Sequence, residues 1–421
     1  MPAIARTPFP DTDPAPAADD PTGLGMVRNL AVYPWFKFAQ SLLFWQAVWF
    51  LYFQETLTPA AAIAMYAVYD LSVTVLEVPL GVLSDRIGRR RTLIAAAGTA
   101  AMGSALIALG DTSAVFVLGQ FLIGAGAAFS SGTDSAMLYE TLAAQGRGDE
   151  VEAQESRAQR FSLCGFAIAA LVGGAVALWS FEATFWGTAV AGLVALVLAW
   201  RLTEPPHKSR QKTALAKPAL RAAFRQPVLR WIFALAIAMY GFSHLPFVFG
   251  QPFILAALDD VGLSGEAPVV SGAVTAVMMG LSALASIYAL GLRKRFGLVR
   301  MLLFAFGLQI ALIAVLTVTQ SWLAIAALFL RIVPDALSHP FKMGRIQPLL
   351  QNEVRATFVS MQSLAGKLVF AVSLLLAAGA ASDVAALPYA DIRMILGWYV
   401  AAGGAVWLTL ALTARRADVD P

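Results

Sequence analysis

Residues 81–91 read GVLSDRIGRRR, a dense cationic turn between two long apolar runs. Gly81 and Gly88 carry no Cβ, so they allow close backbone approach and a tight turn. Asp85 can cap the start of the following helix, where its charge meets the positive end of the helix dipole. Arg86, Arg89, Arg90 and Arg91 crowd cations into a few positions. Such a cluster marks one face of a membrane and can pair with acidic side chains or lipid headgroups. On the residues alone it is either a plain charge anchor or a contact with a partner element.

The rest of the chain agrees with a membrane setting. Its 421 residues are 59% hydrophobic and 13% charged, with a mean hydropathy of +0.70. Soluble domains have about 45–50% apolar and about 25% charged residues. Too little charge is present to coat a soluble surface, which excludes a soluble enzyme, a disordered scaffold and a nucleic-acid binder with one added anchor. Three histidines (His207, His244 and His339) without HExxH spacing leave little for a metal site. The single Cys164 excludes an internal disulfide.

Residues 1–26, rich in Pro, Ala and Asp, predict a disordered cytoplasmic tail. Beyond them, apolar runs long enough to cross about 30 Å of hydrocarbon recur. Six are expected near 31–54, 59–83, 91–110, 113–143, 155–179 and 183–202. Six more follow near 227–257, 267–291, 299–318, 321–343, 355–380 and 389–413. With both termini inside, all but four of the 30 Lys and Arg fall on tails, cytoplasmic loops or adjoining helix ends. The exceptions are Lys37, Arg331, Lys367 and Arg393. The opposite loops carry Glu55, Asp111, Glu182, Asp259, Asp260, Glu266 and Asp383. This bias sets the orientation, and net +4 follows from topology rather than from an acidic partner.

The longest internal polar loop, 203–226, holds Pro205, Pro206, His207, Lys208 and Arg210. It separates an N-terminal six-helix bundle (27–202) from a C-terminal one (227–414), with a cytoplasmic tail over 415–421. The halves echo each other at an offset near 210 residues: Gly81 matches Gly291, and Gln120 matches Arg331. Two-fold repeats of this kind build secondary transporters with substrate held between the halves.

The stretch from Gly81 resembles the signature G-x-L-(A/S)-D-R-x-G-R-(K/R) of the major facilitator superfamily. Gly81, Leu83, Ser84, Asp85, Arg86, Gly88, Arg89 and Arg90 match it in place. The resemblance implies an all-α fold of two pseudo-symmetric six-helix bundles and a cytoplasmic latch between them, with Asp85 and Arg86 in that role. The second copy, GLRKRFGLVR from Gly291, has Arg295 opposite Asp85. LEVPLG (76–81), SGTDSAMLYETL (131–142) and RATFVSMQSL (355–364) are similar to the prokaryotic drug:proton antiporter branch. Two of that branch's signatures depart: Gln120 stands where an Arg precedes Gly124, and Ala170 stands where a Pro is expected in AALVGG.

Charges within the spans are the candidates for mechanism, since an ionisable group in hydrocarbon costs about 2.5 to more than 10 kcal/mol unless it faces a cavity or partner. Asp70 lies about 18 Å from the cytoplasmic end of its span at 1.5 Å per residue, near the midplane. It is either a proton-exchange site or a hydrogen-bonded structural carboxylate. Glu77, seven residues on, shares its helix face; it is either a helper in proton coupling, as Asp335 is, or a structural part of a cytoplasmic gate. Arg331 and Asp335 are spaced to pair within one helix; alternatively Arg331 is an anion contact or coupling switch. Asp134 and Glu140 are expected to pair with the gate arginines, while Lys37 and Lys367 snorkel. Phe44, Trp45, Trp49, Gln120, Tyr240 and His244 are candidate cavity residues for an amphiphilic ligand.

These readings predict a non-enzymatic, secondary active transporter working by alternating access, exporting a small amphiphilic compound or drug against protons. An importer of a metabolite or metal chelate is the alternative in the same architecture, and a membrane-embedded enzyme or sensor is the remaining one. No cofactor or metal is expected, only a proton as coupling ion. The expected partners are a small-molecule substrate and the lipid bilayer, with no nucleic acid. The expected unit is a monomer in a bacterial-type inner membrane.

Overall fold

The computed structural model describes residues 21–206, 217–350, 352–382, 387–417 and 419. The expected tail over 1–20, the centre of the long loop with His207, Lys208 and Arg210, and Asp383 lie outside the described residues. All regular elements among the described residues are helical. The N-terminal half holds α1 (Pro21–Gln40), α2 (Trp49–Thr56), α3 (Pro59–Ile87) and α4 (Arg89–Leu109). It continues with α5 (Ser113–Ser130), α6 (Thr133–Ala144), α7 (Val151–Val176) and α8 (Phe181–Arg201). A short α9 (Lys217–Arg225) leads into α10 (Pro227–Asp259), α11 (Ala267–Phe296) and α12 (Leu298–Val318). Then come α13 (Ile325–Leu328), α14 (Val333–Ile346), α15 (Asn352–Ala380) and α16 (Tyr389–Ala417). Among the described residues eleven crossings are long and apolar enough by themselves, and the interrupted α1–α2 supplies the first. This is the two-bundle membrane fold.

Local chemistry sets the helix ends. Pro59 opens α3 while the Thr58 hydroxyl accepts the Ala61 N–H at 3.3 Å. Gly88, at φ +97°, turns α3 into α4, and Gly297, at φ +81°, turns α11 into α12. The same left-handed turn therefore stands at matching points of the repeat, where a side chain would be strained.

Three crossings expected to be continuous are broken. The first gives way at 41–48, although no Gly or Pro lies there. Its freed backbone groups are met by side chains from other helices. Phe44 N–H donates to Thr188 Oγ1 at 2.9 Å, and Phe50 N–H to Gln251 Oε1 at 2.8 Å. Gln251 Nε2 donates in turn to the Gln46 carbonyl at 3.0 Å. Irregular backbone survives inside a membrane only when satisfied in this way. The fourth crossing breaks at Ser131–Gly132 and the tenth at Phe329–Ile332.

The bundle boundaries also differ from expectation. The first helix begins at Pro21, and Asn29 is buried, donating to Thr141 Oγ1 (3.1 Å) and the Thr203 carbonyl (2.8 Å). At the other end α16 runs to Ala417, and the carbonyl of the buried Val419 accepts from Arg345 Nε at 3.0 Å. Within the linker, Phe224 of α9 packs its ring 5.2 Å from Phe233 and 5.1 Å from Phe358.

The helix ends carrying Arg86, Arg89–Arg91, Arg201 and Arg293–Arg295 define a basic end, and the opposite end carries the acidic loops. The two halves are sealed against each other at the acidic end. A Cβ on Gly272 of α11 would collide with the Ala170 carbonyl of α7, and one on Gly174 would lie 2.6 Å from the Pro268 carbonyl. Leu387 N–H also donates to Gln54 Oε1 at 3.2 Å. Towards the basic end open space surrounds Gly81 and Gly291. The close approach expected at Gly81 is absent, since a Cβ there would meet nothing within 4 Å.

Candidate functional site

The cationic turn builds its contacts inside the N-terminal half. Arg89 is buried, and its guanidinium reaches Asp85 at 2.8 Å, Ser84 Oγ at 3.0 Å and Glu140 at 3.0 Å. Arg90 donates to the Trp200 carbonyl at 2.6 Å. The α4 cap expected from Asp85 comes instead from Glu204, whose carboxylate accepts Arg89 N–H at 2.6 Å and Arg90 N–H at 2.9 Å. Asp85 cannot cap α4 because α3 continues past it to Ile87. Asp85 and Arg86 are exposed and Leu83 is half-buried; among the described residues Asp85 forms its ion pair with Arg89 of its own half, and no ion pair of Arg86 is found. Of the two gate carboxylates, Glu140 meets Arg89, whereas Asp134 pairs with Lys37 at 2.5 Å rather than with an arginine.

Between the halves lies a cavity of about 350 Å³ lined by Trp45, Trp49, Tyr66, Tyr69, Gln120, Phe166, His244, Phe247, Arg331 and Asp335 among others. A second, of about 360 Å³, shares Leu43, Trp45, Tyr69 and Phe166 with it and runs into the N-terminal half towards Lys37 and Asp134. Trp45, Trp49, Gln120 and His244 therefore line the cavity as expected. Phe44 and Tyr240 are not among its lining residues: the Phe44 ring packs against Gly187 and its backbone against Gly173, and the Tyr240 hydroxyl turns to Asp70. The interrupted first crossing turns Phe44 towards α7 and α8.

Asp70 is 3% exposed on α3. Its Oδ1 accepts the Tyr240 hydroxyl from α10 of the other half at 2.9 Å, while its Oδ2 is buried without a partner. Tyr240 stacks on His244, centroids 4.2 Å apart, and His244 Nδ1 lies 2.7 Å from the Tyr240 carbonyl. Two turns further, Glu77 bridges the halves as well. Its Oε2 meets Lys367 Nζ of α15 at 2.8 Å, and its Oε1 accepts Ser131 Oγ at 2.8 Å. The shared helix face of Asp70 and Glu77 thus faces the opposite bundle, and Lys367 is an ion-pair partner rather than a snorkelling lysine.

Arg331 and Asp335 line the same cavity but form no ion pair among the described residues. Helix continuity, on which the expected pairing depended, is lost because Arg331 sits in the break before α14. Its guanidinium lies over the Phe247 ring at 5.1 Å, and its Nε is buried without a partner. Phe247 stacks in turn on Trp49, with centroids 5.6 Å apart.

Sequence reasoning missed Gln251, Tyr66, Glu204 and Lys342. Gln251 and Glu204 act on backbone groups from distant elements, a signal no local pattern carries. Lys342, which the charge pattern counts among the cytoplasmic helix ends, is buried, with its Nζ 3.7 Å from the Met239 sulfur.

Comparison with known proteins agrees with this architecture. Residues 35–378 match the family model described as Major Facilitator Superfamily. A 60-residue segment is 40% identical to the inner membrane transport protein YajR of Escherichia coli (strain K12), covering 14% of this chain and 13% of that relative. The fold is similar to that of nucleoside transporter NupG, with TM-score 0.73 and 13% identity over 93% of this chain and 99% of that one. It is also similar to peptide transporter POT in complex with sulfate, with TM-score 0.73 and 14% identity over 93% and 94%. With a family match running through both halves, the chain belongs to the Major Facilitator Superfamily and is a membrane transporter, not an enzyme.

Proposed function

We propose that this transporter carries a small amphiphilic compound out of the cell against entering protons, in a bacterial-type inner membrane with both termini cytoplasmic. The positive-inside bias assigns the basic end to the cytoplasm, so the sealed acidic end and the open space around Gly81 and Gly291 correspond to an inward-open conformation. The observation that carries the reading is Asp70. Its carboxyl is buried at the midplane, with one oxygen bound across the interface by Tyr240 and the other left free.

A carboxylate in that place couples charge to the approach of the halves. Ionised, it accepts from Tyr240; protonated, it gains a donor of its own and loses the need for that bond. Any ligand, a proton included, shifts the balance between inward-open and outward-open states only through different affinities for them. Glu77, Arg331 and Asp335 are the other candidates for this coupling. When the basic end closes, the α3 face bearing Gly81 approaches the other half, and the exposed Asp85 becomes available as a latch.

The test is Asp70→Asn in proteoliposomes loaded with amphiphilic dyes. Efflux driven by a pH gradient is expected to be lost while dye binding persists. Unchanged proton-driven efflux would refute the assignment. Uptake of a metabolite or metal chelate is the second reading, favoured by Ala170 standing where the antiporter signature has a Pro. Comparing right-side-out with inverted vesicles decides the direction.

A further inference from the structure

The cavity presents two opposite charges that no direct ion pair joins among the described residues. They are Arg331 and Asp335, four residues apart, and both line the cavity. Phe247 holds the guanidinium face-on at 5.1 Å, and the break before α14 removes the helical register that would bring the two side chains together. Arg331 Nε is buried and unpartnered, as is Gln120 Oε1 across the cavity. Both side chains are half-buried against the cavity, where charge is poorly hydrated, and a ligand that supplies both counter-charges relieves that cost. Asp70 is not among the residues that line this cavity, and its Oδ1 is already bound by Tyr240.

Resting on the transporter reading above, we propose that the substrate is a small zwitterion with an aromatic or apolar body. Its carboxylate sits on Arg331 and its ammonium on Asp335. The body lies among Trp45, Trp49, Tyr66 and Tyr69, whose rings offer both apolar area and cation–π faces. The volume of about 350 Å³ suits a ligand of amino-acid or dipeptide size. An anion alone leaves Asp335 with only the Ser243 hydroxyl and the nearby Lys342, and a cation alone leaves Arg331 with only the Phe247 face. The site therefore rejects each singly charged analogue through the group it fails to satisfy.

The purified full chain is titrated with phenylalanine, phenethylamine, hydrocinnamate and phenethyl alcohol, read by tryptophan fluorescence and thermal shift. Phenylalanine is expected to bind about tenfold or more tightly than either singly charged analogue, the worth of one charge-assisted hydrogen bond. Arg331→Gln is expected to erase its advantage over phenethylamine, and Asp335→Asn its advantage over hydrocinnamate. Equal binding of all four probes, or no phenylalanine binding, overturns the proposal; the wild-type ranking alone decides this if a variant does not fold. Proteoliposomes separate the two readings. Dye efflux without phenylalanine binding sinks the zwitterion site and leaves transport standing. Phenylalanine binding without counterflow of phenylalanine or dye sinks the transport reading and leaves the site.

Discussion

The Tyr240 hydroxyl donates to Asp70 Oδ1 at 2.9 Å across the interface between two bundles that the chain builds 170 residues apart. A single hydrogen bond thus ties the buried carboxyl to the relative position of the halves. Removing it destabilises this conformation against the alternative. Tyr240→Phe is expected to shift the population towards the state open at the acidic end by about two- to tenfold, from about 0.5–1.5 kcal/mol per bond. Spin-label distances across the two ends measure the shift. An unchanged distance distribution would remove Tyr240 from the switch.

Glu77 and Lys367 form the second cross-bundle tie, at 2.8 Å. Lys367 is the less exposed partner, so a neutralised Glu77 leaves a poorly hydrated cation behind. Glu77→Gln and Lys367→Met should each lower the thermal midpoint, and the double variant should lose less than the sum of the two. A coupling energy of about 0.5–3 kcal/mol is expected from the double-mutant cycle. Strict additivity would show that the pair does not act as a unit.

Glu204 satisfies two of the orphan N–H groups at the start of α4. Glu204→Ala is expected to cost about 0.5–2 kcal/mol of stability, as loss of a helix cap does. Glu204→Gln, which keeps an acceptor, should recover part of it. Thermal unfolding in detergent provides the comparison, and an unaltered midpoint in the alanine variant would contradict the capping role.

The seal at the acidic end depends on the absence of a side chain at Gly272, where a Cβ would strike the Ala170 carbonyl. Gly272→Val should prevent closure there and favour the opposite conformation. Cys164 is the single cysteine and is exposed, so a Cys164→Ser background with a reporter cysteine at Gln120 reads the change. Labelling from the acidic side by a membrane-impermeant maleimide should rise several-fold. Unchanged labelling would show that α7 and α11 accommodate the side chain without parting.

Hydropathy and charge were enough to read the number of crossings, the two bundles and the cationic turn, because each follows from the cost of placing a given side chain in hydrocarbon. The common face of Asp70 and Glu77 was also legible, since helical periodicity is a local property. The break at 41–48 was not: its sequence, SLLFWQAV, contains no helix breaker. It exists because Thr188 and Gln251 arrive from other helices to satisfy the freed backbone.

What the sequence by itself determined is therefore the class of molecule: an all-helical, two-fold repeated membrane protein with a latch-like turn and a few costly charges inside its spans. What only the tertiary structure decided is how those charges are spent. Lys367 meets Glu77, Tyr240 meets Asp70 and Glu204 takes the cap expected of Asp85, while Arg331 and Asp335 stay apart. The physical reason is range. Partition into hydrocarbon acts on each residue where it stands in the chain, whereas an ion pair or hydrogen bond acts over about 3 Å between residues that only the packed bundles bring together.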